Sequence, residues 1–301
     1  MMSNIRVSLL SFLVIMSMLV FSSLSAKAGW LIIEQQEDGL GNFGSQTIFI
    51  EGQLLRIETA RSVFVIDMEN ETITLIFPEH QLFWTGHPDS LRQAISNRLQ
   101  QQVEQLMAQM PPSIREENDS SFAAQLARFR AGEFESDSLN PIQMIQLNSS
   151  DSLLKFPTEI SEFYADSILL ERVWTTKAVN PYTDIDKQKL MRMIALFNPP
   201  SRVSAHRNYQ QYQSLASERF ILKSLIPTPF GASISEVVQL NNSTIPLSLF
   251  QPADDYQPAM LERIIEITMG EDKNNSTNPF KNPQQKPDVK KPFPELPPKP
   301  Y

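Results

Sequence analysis

The sequence predicts an α+β fold in which amphipathic helices cover one face of an antiparallel β-sheet. Three observations predict it. Residues 30–85 fall into short apolar runs separated by tight-turn residues. Residues 89–131 carry apolar side chains at helical spacing. Further strand-like runs return at 165–178, 220–225 and 233–240, after and between helical segments.

The first strand series opens at Trp30-Leu31-Ile32-Ile33, and Asp38-Gly39 with Gly41-Asn42 supplies turn chemistry. Thr47-Ile48-Phe49-Ile50 follows, and Glu51-Gly52 predicts a hairpin turn into Leu54–Glu58. There Leu55 and Ile57 share one face, with Arg56 and Glu58 on the other. Val63–Ile66 is apolar on both faces. Ile73, Leu75 and Phe77 alternate on one side of the next strand, and Gln81–Thr85 closes the series. Short strands joined by tight turns predict an antiparallel meander.

A helix is expected from Asp89 or Ser90 to Met110, stopped by Pro111-Pro112, with Leu91, Ile95, Leu99, Val103, Leu106, Met107 and Met110 forming its apolar stripe. A second is expected over 120–131 with Phe122, Leu126 and Phe129 inward. Residues 133–150 read as loop. A strand is expected within 165–178, helices over 184–197 and 204–217, two further strands, and a terminal helix over 258–268. The runs before and after the helices are compatible with a single sheet.

The termini read differently. Arg6, the apolar run Val7–Leu24 and the small residues Ala26 and Ala28 form an export signal over 1–28, with Gly29 as the first residue after cleavage. The alternative is an uncleaved anchor, because the run approaches bilayer-spanning length. The domain then extends over 29–269, with a helical insertion at about 89–131. Residues 270–301 hold prolines at 279, 283, 287, 292, 294, 297, 298 and 300 mixed with lysine, and read as a disordered tail. That tail is either a plain extension or a docking peptide for a cell-envelope protein.

Composition narrows the function classes. The 301-residue chain has a net charge of −8, which disfavours nucleic acid as a partner, since phosphate binding needs a basic face. Cysteine is absent, so neither disulfides nor a thiol nucleophile exist. With an export signal, this fits a bacterial periplasmic or secreted protein that is not integral to the membrane after cleavage. No phosphate-loop, nucleophile-elbow or zinc-protease motif occurs, and His80, His87 and His206 are the only histidines. His80 and His87 flank a strand closely enough to approach each other. The carboxylate pairs Asp254-Asp255 and Asp184/Asp186 read as turn and cap residues. Neither an enzyme, nor a metal, nor a cofactor is expected.

The aliphatic and aromatic faces carry the functional reading. Ile48, Ile50, Ile73, Leu75, Phe77, Leu82, Trp84 and Trp174 are candidates for one sheet face. Such a face is either a closed core under the helices or the wall of an apolar cavity for a lipid or acyl chain.

Three stretches carry a family resemblance: Phe49–Glu58 with Val65–Ile76 and Leu82-Phe83-Trp84, then Ile168–Thr176, then Glu236-Val237-Val238 with Ile245–Phe250 and Pro252–Tyr256. In this order they resemble the exported bacterial domains with the lipoprotein-carrier-like (LolA/LolB-like) fold, in a poorly characterised branch. The chain departs from that pattern in a short Phe250–Pro252 spacing, the insertion at 89–131 and the tail. The resemblance implies a strongly curved half-barrel sheet whose mouth is plugged by helices and whose concave face holds acyl chains. N-terminal sequencing of the chain recovered from the periplasm is expected to start at or next to Gly29. A start at Met1 or Met2 would replace cleavage with a retained anchor.

Overall fold

The computed structural model describes residues 28–109, 142–194 and 205–268, with Ala124 and Ala127 as isolated helical positions between the first two stretches. Residues 1–27 of the expected export signal (1–28), most of the expected second helix at 120–131, and the expected tail over 270–301 lie outside the described residues.

The first meander consists of β1 (Gly29–Glu37), β2 (Phe43–Glu51), β3 (Leu54–Glu58), β4 (Val63–Asp67), β5 (Thr72–Phe77) and β6 (Leu82–Gly86). The second consists of β7 (Ile142–Leu153), β8 (Phe156–Ala165), β9 (Ile168–Thr176), β10 (Phe220–Thr228) and β11 (Gly231–Ser243). With β12 (Gln257–Pro258) they form one open sheet of order β12-β6-β5-β4-β3-β2-β1-β11-β10-β9-β8-β7. Every pairing is antiparallel except that of β12 with β6. The helices are α1 (Pro88–Gln109), α2 (Lys187–Ile194), α3 (Gln210–Glu218) and α4 (Leu261–Thr268).

Turn chemistry sets the register. Gly52 has φ +58°, the left-handed geometry that the tight β2–β3 turn requires. At the β4–β5 turn, Asp67 Oδ1 accepts the N–H groups of Glu69 and Asn70 at 3.0 Å, an Asx turn that fixes the strand end.

Strand alternation then sorts the side chains. Ile32, Ile48, Ile50, Leu55, Ile66, Ile73, Leu75 and Phe77 project to one face, where Leu91 of α1, Leu190 and Met193 of α2, and Ile264 of α4 pack on them. The opposite face of the first meander is apolar as well. Val63, Val65 and Ile76 are covered there by the returning segment that carries Ile245 and Phe250. This is why β4 reads apolar on both sides: each side meets its own cover. Arg56 on that outer face donates to the Leu249 carbonyl and pairs with Glu58, at 2.6 Å from its Nη2, so it anchors the covering segment.

Three expectations need correction. Residues 142–150 are strand rather than loop, and with 151–165 they form the β7–β8 hairpin. Its polar residues and the Leu147–Ser150 bulge mask the period-two pattern. The expected helix at 204–217 is a 3₁₀ turn over Ala205–Asn208 followed by α3. Pro258, the first residue of the expected terminal helix, instead ends the short strand Gln257–Pro258 beside β6, and the helix starts at Leu261.

Ile73 is wholly buried at the centre of the helix-covered face. Ile73→Ala is expected to lower stability by about 2–5 kcal/mol, read as a lower urea midpoint at unchanged m-value. A loss under about 0.5 kcal/mol would show that this face is not the core.

Candidate functional site

The helix-covered face runs without interruption across both meanders. Ile32 and Glu34 alternate onto it from β1, and Val237 and Ser235 from β11. Ser235 pairs with Ser224 of β10, and Ser224 with Val173 of β9, so Glu171 two residues away shares the same face. Two apolar clusters therefore lie on one surface. The larger is centred on Ile73, and the smaller joins Ile142, Phe163 and Val173 to Tyr212 and Leu215 of α3.

Between them runs a polar seam. Glu171 is completely buried and accepts four hydrogen bonds. Arg207 donates from Nη2 to Oε1 at 2.7 Å and from Nε to Oε2 at 3.1 Å. Ser224 Oγ donates to Oε1 at 2.5 Å, and His206 Nε2 lies 2.5 Å from Oε2. Burial works against the Glu171 charge, but the hydrogen bonds from His206, Arg207 and Ser224 outweigh it and bring its pKa to about 2. Burial pushes the Tyr212 hydroxyl well above its ordinary value, and the Glu171 charge adds to this. Farther along, Ser235 Oγ donates to Glu34 Oε1.

This arrangement is a latch. His206 and Arg207 sit on the 3₁₀ turn that leads into α3, while Glu171 and Ser224 belong to the sheet, so the ion network fastens that cover down. The rings of His206, Phe163 and Tyr212 pack around it in tilted and edge-on contacts, with centroids 5.1–6.0 Å apart. The geometry differs from a nucleophile triad, in which serine gives its proton to the histidine. Here Ser224 and His206 both turn to the carboxylate. Among the described residues no group of three or more His, Asp or Glu is placed to hold a metal ion.

The candidate ligand residues separate into two sets. Ile48, Ile50, Ile73, Leu75 and Phe77 are together in the main cluster, between 0 and 7% exposed, with Trp84 packed at its margin. Leu82 shares their side through its pairing with Phe77 but lies outside the cluster. Trp174 does not join them, because it alternates with Val173 and faces outward. There it carries Lys223 Nζ at 5.6 Å and Arg172 Cζ at 5.9 Å over its ring, a cation–π pair on the outer surface. His87 lies near the carboxylates of Glu71 and Asp89, at 3.9 and 3.4 Å.

The latch residues escaped the sequence reading. The one mark of Glu171 in the sequence is a charge within an apolar strand; which face it takes is set by the pairing of β9 with β10. His206 and Arg207 carry no comparable mark, since their partners lie 35 and 36 residues away.

The depressed Glu171 pKa makes a stabilising contribution of about 3 kcal/mol that is complete above the ordinary carboxylate value near 4.5 and is lost as pH falls toward 2. Wild-type stability is expected to drop across that window, and Glu171→Gln is expected to be less stable at pH 7 with a shallower acid dependence. Urea unfolding at about pH 7, 4.5 and 3 measures both. Parallel pH curves for the two proteins would remove Glu171 as the acid-sensitive group.

The chain matches no known protein-family profile and no curated protein. Among solved structures it is similar to an uncharacterised conserved protein from Thermus thermophilus, at 6% identity and TM-score 0.37 over 78% of this chain and 91% of that one. It is also similar to MucB in the Pseudomonas aeruginosa MucA/MucB complex, at 11% identity and TM-score 0.33, over 78% of this chain and 59% of that one. A third similarity is to PNGF-II, at 9% identity and TM-score 0.32, covering 79% of this chain and 32% of that one. All three scores lie below 0.5, too low for a shared role to follow.

Proposed function

We propose that this is a periplasmic or secreted binding protein, without catalytic machinery, that takes a lipid or other hydrophobic ligand on the helix-covered face of its sheet. One observation carries this reading. An apolar surface contributed by both meanders, in two clusters flanking the polar seam, is roofed by separate helices, not by a second sheet. α1, α2 and α4 fill the face themselves. An acyl chain that displaces a helix replaces one set of apolar contacts by another, so the exchange costs little hydrophobic free energy. The roof also keeps the face from water while no ligand is present.

A second reading is favoured by the burial itself. Side chains 0–7% exposed form a filled core. On this reading the protein is a closed scaffold that meets another envelope protein through its surface and its proline-rich tail.

Native mass spectrometry and lipid extraction of protein isolated from its own periplasm separate the two. The first reading expects a co-purifying acyl-bearing species, which Leu75→Trp diminishes by occupying the face. A clean apo mass that stays unchanged after incubation with fatty acid and phospholipid would overturn it in favour of the closed scaffold.

A further inference from the structure

Large apolar side chains are left in water at one end of the sheet. In an antiparallel sheet alternate turns lie at opposite ends. The β1–β2, β8–β9 and β10–β11 turns therefore share one end, and the sheet order places these three hairpins side by side. Each presents an exposed large hydrophobe: Leu40 (71% exposed) and Phe43 (79%) at the first, Ile168 (67%) at the second and Phe230 (78%) at the third. The opposite end differs. Its tight turns at 52–53, 69–71 and 154–155 present no large exposed hydrophobe.

The first of these turns is built to hold its side chains out. Asp38 Oδ1 accepts from the N–H groups of Leu40 and Asn42 at 2.9 Å, and its Oδ2 accepts from Asn42 Nδ2 at 2.8 Å. Gly41 takes φ +81° beside Leu40. The neighbouring tip packs against this turn, because a Cβ on Gly231 would lie 3.0 Å from the Gly39 carbonyl oxygen. Leu40 and Phe230 thus flank a close backbone contact. Turns ordinarily carry Gly, Asn, Asp or Ser, so hydrophobes fixed at three adjacent tips need an apolar environment to enter.

We propose that this rim docks on a phospholipid bilayer by inserting the four side chains among the lipids. Three observations choose a bilayer over another occupant. Four side chains of this size expose about 500 Å², below the roughly 800 Å² per partner of a stable protein interface. They project from separate turns in a row across six strands, about 25 Å at ordinary strand spacing, which suits a flat fluid surface. Residues 34–47, 164–170 and 225–235 contain no lysine or arginine but do contain Glu34, Glu37, Asp38 and Asp166. The docking is therefore apolar rather than electrostatic, and zwitterionic lipid is the matching surface. The rim is separate from the helix-covered face, and the inference does not rest on ligand binding there.

Flotation with phosphatidylethanolamine/phosphatidylcholine vesicles tests it, comparing the chain as isolated after export with the L40S/F43S/I168S/F230S variant. The wild type is expected to float with the vesicles equally at about 0.05 and 0.5 M salt. The variant, at unchanged Tm, is expected to partition at least about a hundredfold less. Leu247→Ser, which removes an exposed side chain away from the rim, is expected to behave as wild type. F230S alone, expected to lose about tenfold, keeps the test valid if the fourfold variant misfolds. Absence of wild-type flotation, equal flotation of wild type and variant, or binding that requires anionic lipid and disappears in salt would each overturn the proposal. Vesicle-free self-association that the variant abolishes would assign the rim to a second copy of the chain instead.

Discussion

β1 pairs with β11 from Gly29–Ser243 to Glu37–Ile234, and through this ladder two meanders become one sheet. Remove it and β1–β6 with β12 keep a seven-stranded sheet whose helix-covered side is only half a surface. Much else depends on the joint. It aligns Ile32 with Leu240 and Glu34 with Val237, so the apolar surface of β1–β6 continues into β10. It also brings Glu34 beside Ser235 and places the polar seam between the two apolar clusters. The bulge at Ile33/Glu34 within the ladder adds local twist at the join.

The covers over this sheet are attached by different physics. Over the large cluster, α1, α2 and α4 contribute Leu91, Leu190, Met193 and Ile264 to a common core, and α2 is also tied by Lys189, whose Nζ lies 2.8 Å from Glu71 and 3.2 Å from the Met68 carbonyl. The 3₁₀ turn and α3 are held by Tyr212 and Leu215 and by the buried Glu171 network. A buried carboxylate with four donors is strongly coupled to its partners, so losing one leaves a charge that water cannot reach. The two halves of the roof therefore respond to different perturbations: volume changes act on the first, and charge changes on the second.

The polar and apolar ends of the sheet differ for a related reason at a larger scale. Inside, almost every apolar side chain on the covered face finds a partner. At the rim, four do not, although the β1–β2 turn is hydrogen-bonded and the β10–β11 tip packs against it. The contrast separates hydrophobes that serve the fold from hydrophobes whose partner lies outside it.

The amino-acid sequence by itself determined the local order: the β1–β6 meander, the Gly52 turn, the helix beginning near Pro88, and the shared face of Ile48, Ile50, Ile73, Leu75 and Phe77. These follow from alternation, turn chemistry and helical spacing, which act over a few residues. Tertiary structure alone decided the rest. Trp174 faces outward because of the parity of its neighbour Val173, which only the pairing of β9 with β10 reveals. Glu171 meets His206 and Arg207 because β9 and the turn before α3 converge across 35 and 36 residues of sequence. Leu40, Ile168 and Phe230 share a rim because sheet order brings three distant hairpins together. Contacts between residues far apart in the chain leave no periodic mark on the sequence, so chain order cannot disclose them.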